Sequence, residues 1–596
     1  VPVWLSSAVG DWWARVRGLP RGHAPSLVVP VWSIVLALLL LGPALAPGYV
    51  LSYDMVWVPD LALRADALGT GSGLPRAVPS DAVVAILDEV VPGMVLQKLV
   101  LLAALVVGGV GAARLAPPGR LLGALAAVTL WQWNPFVAER LGLGHWPVLL
   151  GYAALPWLVV AARRWRTEQR MPAVLPLLVV CASLSASAGL ASAAVLLVLA
   201  TRQEVAHLAR VVAVVALANA PWLVAGLLHA GAALSDPAGA AVFALADEGT
   251  LPGPLAALGL GGAWNAEVLP GSRTGVAAWV ATAVLLALAA TGWRTWWQRV
   301  GAREGGGLLA LWGVGWGLAV LTWAAPNAVG TLAGAVPGAG VVRDGARLLV
   351  LCAPLLVSLV AQGAVVLHDR VRRAWPGAAP LVPRVLLAAV LVLWPVTVLP
   401  DIAWGLDGPD GPRLQAVDYP TSFEQAHRAV GAAAPGDVLV LPLSSFRAPQ
   451  WNNGHTVLDP LGRYLGRNHV ASDELVVSRV VLAGEDPRVR AAREALARSG
   501  PQDRARALAR IGIGVVVRDR TAPGGDDDLA VEVAGRRLLE TGDLVVTEVL
   551  GASPRTSPPG WVAAMAAAWG AWVALLGSAG LVAAARVRRQ RRGRSM

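Results

Sequence analysis

The sequence predicts an α-helical polytopic membrane protein of about twelve spans carrying a C-terminal extracytoplasmic α/β domain, and three observations point to it. The 596 residues are 56% hydrophobic and only 15% charged. Apolar runs of roughly 20 residues, the length needed to cross a bilayer, recur along most of the chain. Between 401 and 558 they stop: this stretch holds 18 Arg against 21 Asp plus Glu, net −3, with no run of span length.

The first apolar run begins at Val28 and lacks a convincing cleavage site, so it reads as a retained span after a cytoplasmic segment 1–27. Spans are expected at 28–47, 94–115, 119–135, 146–162, 172–187, 189–201, 211–229, 275–293, 306–325, 346–367 and 383–400, with a last one at 559–585 and a basic tail at 586–596. Orientation follows from arginine. The net charge of +11 comes from 49 basic residues, of which Lys98 is the only lysine. They cluster beside spans on one side, at Arg15, Arg17 and Arg21, at Arg163, Arg164, Arg166 and Arg170, at Arg370, Arg372 and Arg373, and from Arg586 to Arg594. That is the positive-inside signature, and it excludes a nucleic-acid partner as the reason for the charge. Both ends of the chain are then inside, and 48–93, 136–145, 230–274, 326–345 and 401–558 outside.

Within 172–201, Ser183, Ser185, Ser187 and Gly189 interrupt the apolar run. Two short spans turning at mid-depth keep 202–210 on the arginine-rich side; one long helix is the alternative. In 401–558, Val438 to Leu441 and Gly514 to Val517 are apolar runs of buried-strand type, Asp543 to Thr547 reads as a last strand, and 487–498 and 502–511 have helical periodicity. Cys181 and Cys352 both sit in apolar runs, so neither a disulfide framework nor a thiolate metal site is expected.

The chemistry-bearing residues concentrate outside the spans. The first outer loop reads Ser52-Tyr53-Asp54-Met55-Val56-Trp57-Val58-Pro59-Asp60, continues through Asp66 and Asp81, and closes on Asp88-Glu89. A carboxylate in lipid is costly unless it faces water or a partner, so this concentration points to chemistry at the membrane surface, with sugar transfer from a lipid carrier the leading form. Two further short motifs lie on the same side: Asn134-Pro135-Phe136 through His145-Trp146, and Arg343-Asp344-Gly345-Ala346-Arg347.

On these motifs and this architecture the chain resembles the GT-C superfamily of integral membrane glycosyltransferases, and within it the arabinofuranosyltransferase-like proteins of actinobacteria. The resemblance implies transfer of a hexosyl or pentosyl group, with inversion, from a polyprenyl-phosphate-linked sugar to a cell-envelope glycan or glycolipid acceptor. The first loop departs from the family in lacking an Asp-x-Asp pair, so divalent-metal dependence is left open and no cofactor or metal ligand is assigned.

Such a reaction needs a base for the acceptor hydroxyl and positive charge around the departing phosphate. Asp54, just after span one, matches the family's loop acid and is the candidate catalytic base, with Tyr53 placed to stack on a sugar. Asp60, Asp81, Asp88, Glu89, His145 and Trp264 are candidate substrate contacts. Solvated loop acids, an interfacial histidine and ordinary loop packing are the plainer readings of the same residues. Lys98, at the outer mouth of span two, could meet the donor phosphate or snorkel to headgroups. Arg343 and Arg347, spaced as an i,i+4 pair, could bind that phosphate or pair with Asp344. A transporter or flippase of lipid-linked glycan, and a non-catalytic envelope scaffold, are the competing functions.

Overall fold

The computed structural model of the protein describes residues 24–231, 236–336, 338–374, 381–408, 411–477, 480–522 and 531–593. Arg15, Arg17 and Arg21, and the side chains of the tail arginines, lie outside the described residues. The bundle is built from α1 (Ala24–Leu41), α2 (Ser80–Leu87), α3 (Gly93–Ala112), α4 (Leu121–Gln132), α5 (Pro135–Gly142), α6 (Trp146–Glu168), α7 (Leu175–Ala182), α8 (Ala186–Leu199), α9 (Val205–Leu228), α10 (Val276–Val300), α11 (Ala302–Ala324), α12 (Ala353–Ala374) and α13 (Leu381–Val398), with the last helix, Pro559–Gly593, packed on α9. Among the described residues 9 helical segments are long and apolar enough to cross a membrane, or 10 if α13 and the segment Pro400–Leu406, bent by 70°, count as one.

That count corrects the expected twelve. Helices α7 and α8 have 8 and 14 residues, and at 1.5 Å per residue neither alone crosses a hydrocarbon core of roughly 30 Å. The serines that interrupt the run make the break. Ser183 Oγ donates to the Val180 carbonyl at 2.9 Å, and Ser185 Oγ accepts from Ala188 N at 3.3 Å to cap α8. Helix α9 absorbs most of 202–210, expected as a loop. Nor is 136–145 a polar loop: after a break at Asn134, whose Oδ1 caps Val137 N at 3.1 Å, the chain resumes as α5, with Glu139 and Arg140 fully buried.

Close helix packing relies on small residues, since lipid offers no hydrophobic drive between helices. Where α10 crosses α12, a β-carbon at Gly363 would lie 1.9 Å from the Leu288 carbonyl oxygen. Only glycine lets these backbones meet.

Beyond the short pair β1 (Tyr49–Val50) and β2 (Ala416–Val417), β3 (Asp437–Leu441), β4 (His469–Val470), β5 (Ile513–Asp519), β6 (Arg536–Glu540) and β7 (Leu544–Glu548) form one sheet outside the bundle in the order β6-β7-β5-β3-β4. Strand β5 pairs parallel with β3 and antiparallel with β7. Val438, Val440, Val515, Val517, Leu544 and Val546 pack on the face covered by Thr421–Gly431, while Leu439, Leu441, Ile513 and Val516 pack against Pro487–Leu496 and Pro501–Arg510. With both faces covered, its inner strands read as unbroken apolar runs.

This unit is joined to the first loop by backbone pairing. Tyr49–Val50 pairs antiparallel with Ala416–Val417. Tyr53 N donates to the Thr456 carbonyl at 2.8 Å, and Leu458 N donates to the Tyr53 carbonyl at 2.9 Å. Asn452 Nδ2 donates to the Leu51 carbonyl at 3.2 Å, and Arg463 Nη1 to the Val56 carbonyl at 3.1 Å. Ion pairs run along the same seam: Asp81 with Arg463 at 3.2 Å and with Arg64 at 3.7 Å, and Asp66 with Arg488 at 3.1 Å.

Candidate active site

Ser52 to Met55 forms a tight turn, closed by Met55 N donating to the Ser52 carbonyl at 2.9 Å. Tyr53 occupies the left-handed region with φ 46, which costs a non-glycine residue about 1–2 kcal/mol. The pairing to Thr456 and Leu458 holds it there. The turn sits on the segment between α5 and α6: Asp54 N donates to the Leu143 carbonyl at 3.1 Å, and Ser52 Oγ to the Gly142 carbonyl at 2.6 Å. Gly144 makes that approach possible, for with φ +74 a β-carbon there would fall 2.1 Å from Met55 N. Ser52 and Met55 are buried, while the Asp54 side chain keeps 47% of its surface open.

Opposite the open carboxylate stands His145, just ahead of α6. Its Nε2 lies 3.2 Å from Asp54 Oδ2, and its Nδ1 lies 3.1 Å from Arg140 Nη1. A guanidinium can only donate. Nδ1 is therefore the acceptor, the neutral ring carries its proton on Nε2, and that proton is donated to Asp54. Arg140 also donates to Asp344 Oδ2 at 3.2 Å, and Arg347 Nε donates to the same oxygen at 2.8 Å. Arg347 Nη2 also lies 3.3 Å from His145 Nε2, a donor beside a donor and so not a hydrogen bond; Arg347 joins the group through Asp344. Asp54, His145, Arg140, Asp344 and Arg347 thus form one chain of polar contacts.

The protonation states follow. Burial and the nearby Arg347 charge push the His145 imidazole down to about 4, against the opposing pull of Asp54. Surrounding protein desolvates Asp54 and would raise its carboxyl, but the His145 hydrogen bond and the charges of Arg347 and Arg463 outweigh this and hold it below the usual range. Asp344 is likewise raised by burial and lowered more by Arg140 and Arg347. The site at neutral pH contains a neutral imidazole and two ionised carboxylates, one of them ringed by protein yet open to solvent.

Beside it lies an aromatic row. The Tyr53 hydroxyl donates to Glu267 Oε2, and burial with that bond pushes it up to about 12. The Tyr53 ring lies 5.9 Å from Phe446 and beneath the Arg413 guanidinium at 5.5 Å. Trp264 packs in the same cluster and meets Phe243 edge-on at 4.9 Å, and Arg343 lies 4.7 Å above Phe243. Glu267 is 61% exposed.

The structure therefore brings Asp54, His145 and Arg347 together, with Tyr53 and Trp264 alongside. It separates the other candidates from them. Arg343 and Arg347 are not an i,i+4 pair on one α-helix: Arg343 ends the 3-10 turn Ala339–Val342, Arg347 belongs to the 3-10 helix Gly345–Leu351, and Arg343 pairs with Glu485 at 3.5 Å. Asp81 is in the seam. Asp88 Oδ2 accepts from Leu61 N at 2.8 Å, an internal brace of the first loop, while Asp60 and Glu89 are exposed and, among the described residues, make no hydrogen bond to the Asp54 network. Lys98 lies in α3, apart from the Asp54 chain of contacts, with its Nζ buried and without a hydrogen-bond partner among the described residues.

Sequence reasoning did not single out Arg140, Arg413 or Arg463. Arg140 carried a usable signal, as an ionisable residue beside an apolar run. Arg463 carried none, because only tertiary folding brings residue 463 over the first loop. Among the described residues no group of three or more His, Cys, Asp or Glu is placed to hold a metal ion. Around Asp54 the neighbouring guanidinium groups do not fit the oxygen-rich shell of a hard divalent cation.

No protein-family model and no curated protein matches this chain. Solved structures do. The arabinofuranosyltransferase AftD from mycobacteria, determined by single-particle cryo-EM, superposes with a TM-score of 0.53 at 18% identity, covering 89% of this chain and 40% of that one. A mutant form of that protein gives a TM-score of 0.51 at 19% identity, covering 89% of this chain and 41% of its own. The chain thus spans about 40% of the length of the structures it matches, and the likeness is one of fold. This chain shares the membrane fold of those structures over 89% of its length.

Proposed function

We propose that this protein is a membrane glycosyltransferase that moves a sugar from a polyprenyl-phosphate donor to a hydroxyl of a cell-envelope glycan or glycolipid, with inversion, on the extracytoplasmic face. The observation that carries this reading is the ionised, solvent-open Asp54 carboxylate, oriented by His145 and flanked by Arg347, within a GT-C-like fold. Asp54 takes the proton of the acceptor hydroxyl as that oxygen attacks the anomeric carbon. The carbon–oxygen bond to the lipid phosphate breaks with its electron pair going to the phosphate, and Arg347 meets the growing negative charge. Attack opposite the leaving group inverts the anomeric centre.

The His145 proton and the left-handed Tyr53 fix the direction of the carboxylate, and preorganisation of this kind lets a base act without reorganising. The aromatic row from Tyr53 to Trp264, with Glu267 exposed beside it, supplies apolar faces and a hydroxyl acceptor suited to a sugar acceptor. The test is transfer from a synthetic polyprenyl-phosphate sugar in nanodiscs, comparing wild type with Asp54→Asn. Transfer by wild type and none by the variant supports the reading; binding of the lipid-linked sugar without transfer by either would favour a carrier or scaffold.

A further inference from the structure

At the end of the bundle away from Asp54 lies a second, differently built cavity of ≈ 430 Å³. Helices α3 and α12 start on the Asp54 side and α4 ends there, so 113–120 and the ends of α10 and α12 lie on the opposite, arginine-rich face. The wall carries Arg120, Arg299, Arg370 and Arg373 against one acid, Asp369, with Pro117, Val365 and Val366 forming an apolar side. Arg120 and Asp369 neutralise each other at 2.6 Å. Arg299 is held by neutral acceptors, Gln362 Oε1 at 3.0 Å and the Leu115 carbonyl at 3.3 Å, which orient its guanidinium without cancelling its charge. Among the described residues Arg373 donates only to the Asp369 carbonyl, at 3.3 Å, and Arg370 has no hydrogen-bond or ion-pair partner.

We propose that this cavity binds the phosphate headgroup of an anionic membrane lipid. Three uncompensated guanidinium groups converge on one concavity, and planar forks match phosphate oxygens in pairs. Arginines at helix C-termini often only cap the last carbonyls, and Arg373 does this; Arg299 instead reaches across to α12 and the 113–120 segment. The volume falls at the small end of the range for ligand sites. The helix ends place the guanidinium groups at headgroup depth, where basic pockets between spans meet anionic lipid. The apolar side made by Pro117, Val365 and Val366 favours a lipid over a free anion, since it offers contact to the start of an acyl or glycerol segment. This site is independent of the sugar-transfer reading.

The test is native mass spectrometry of the full chain from detergent with added phosphatidylglycerol, against phosphatidylcholine as the neutral probe. Wild type should retain phosphatidylglycerol preferentially. The double variant Arg299→Gln/Arg370→Gln should bind it at least about tenfold more weakly, the loss expected for charge-assisted contacts, with an unchanged thermal midpoint in the absence of lipid. Arg294→Gln, on the same helix but outside the cavity wall, should bind as wild type. Equal retention of the two lipids, equal retention by wild type and the double variant, or an equal loss in Arg294→Gln would overturn the proposal. Should the double variant fail to fold, Arg370→Gln alone, an exposed side chain, carries the comparison. Displacement of the lipid by millimolar inorganic phosphate would assign the site to a free anion and overturn the lipid.

Discussion

His145 donates its Nε2 proton to Asp54 across 3.2 Å while Arg140 occupies its other ring nitrogen at 3.1 Å. The imidazole is thereby fixed as one neutral tautomer whose only available proton points at the candidate base. Asp54→Asn keeps the shape of the side chain and removes its capacity to take a proton. Turnover should fall by about 10²–10⁴-fold, with the protein still folded and donor binding retained. Turnover near wild type in purified Asp54→Asn would remove Asp54 from the chemistry.

The same contact makes a pH prediction. Burial lowers His145 from an ordinary 6.5 to about 4. Between those values the unfolded chain takes up a proton that the folded chain refuses. This contribution to stability is therefore complete above pH 6.5 and declines as pH falls toward 4. Asp54, held below its ordinary value of 3.8, loses its own contribution only at lower pH still. The unfolding free energy measured from pH 7 downward should fall through the histidine window, by as much as about 1.4 kcal/mol per pH unit. His145→Gln should flatten that slope, and an unchanged slope would show that the imidazole is not neutral in the fold.

His145→Ala, which leaves no donor facing Asp54, should also move activity. Loss of the hydrogen bond takes away one of the influences that lower the Asp54 carboxyl, so the acid limb of the pH–rate profile should shift to higher pH. Measuring turnover across pH 4 to 7 tests this, and an unmoved acid limb would mean that His145 does not act on Asp54.

The two arginines of the 343–347 motif should behave differently. Arg347 faces His145 and Asp344, whereas Arg343 is tied to Glu485 and Phe243. Arg347→Ala should weaken donor use by about 10- to 100-fold, the worth of a charge-assisted bond of roughly 1.5–3 kcal/mol. Arg343→Ala should cost less, and Arg347→Lys should rescue only in part because it loses the planar fork. Donor titrations in nanodiscs check the order; equal effects would place the phosphate between them.

Gly144→Ala tests whether the turn must sit where it does. A methyl group there would meet Met55 N at 2.1 Å in a backbone of φ +74. The turn has to shift, moving Asp54 from His145, so activity should drop by about 10²-fold, the usual cost of a misplacement near 1 Å. Wild-type activity would show a more compliant loop.

The proposed orientation predicts opposite topology signals from reporters inserted at Gly542 in the sheet-bearing unit and at Arg170 between α6 and α7. Equal signals would place both on one side and remove the outward-facing site.

Residue patterns alone determined that this is a many-helix membrane protein, because lipid tolerates only apolar segments with internally satisfied backbones and leaves that requirement written in the chain. Strands β3, β5 and β7 were visible for a related reason, since burial on both faces demands unbroken apolar runs. Asp54, His145 and Arg347 could each be nominated from local context: a polar group beside a span is costly unless used. Their convergence could not be read. Tertiary structure alone decided that Arg140 turns inward to hold His145, that Asp81 leaves the site for Arg463, and that 452–464 locks Tyr53 into a left-handed turn. It also made 135–142 a buried helix, whereas the break within 172–201 was already marked by Ser183 and Ser185. Such outcomes depend on contacts between residues far apart in the chain, whose geometry no local spacing encodes, and on glycines such as Gly144 whose need appears only when another backbone arrives against them.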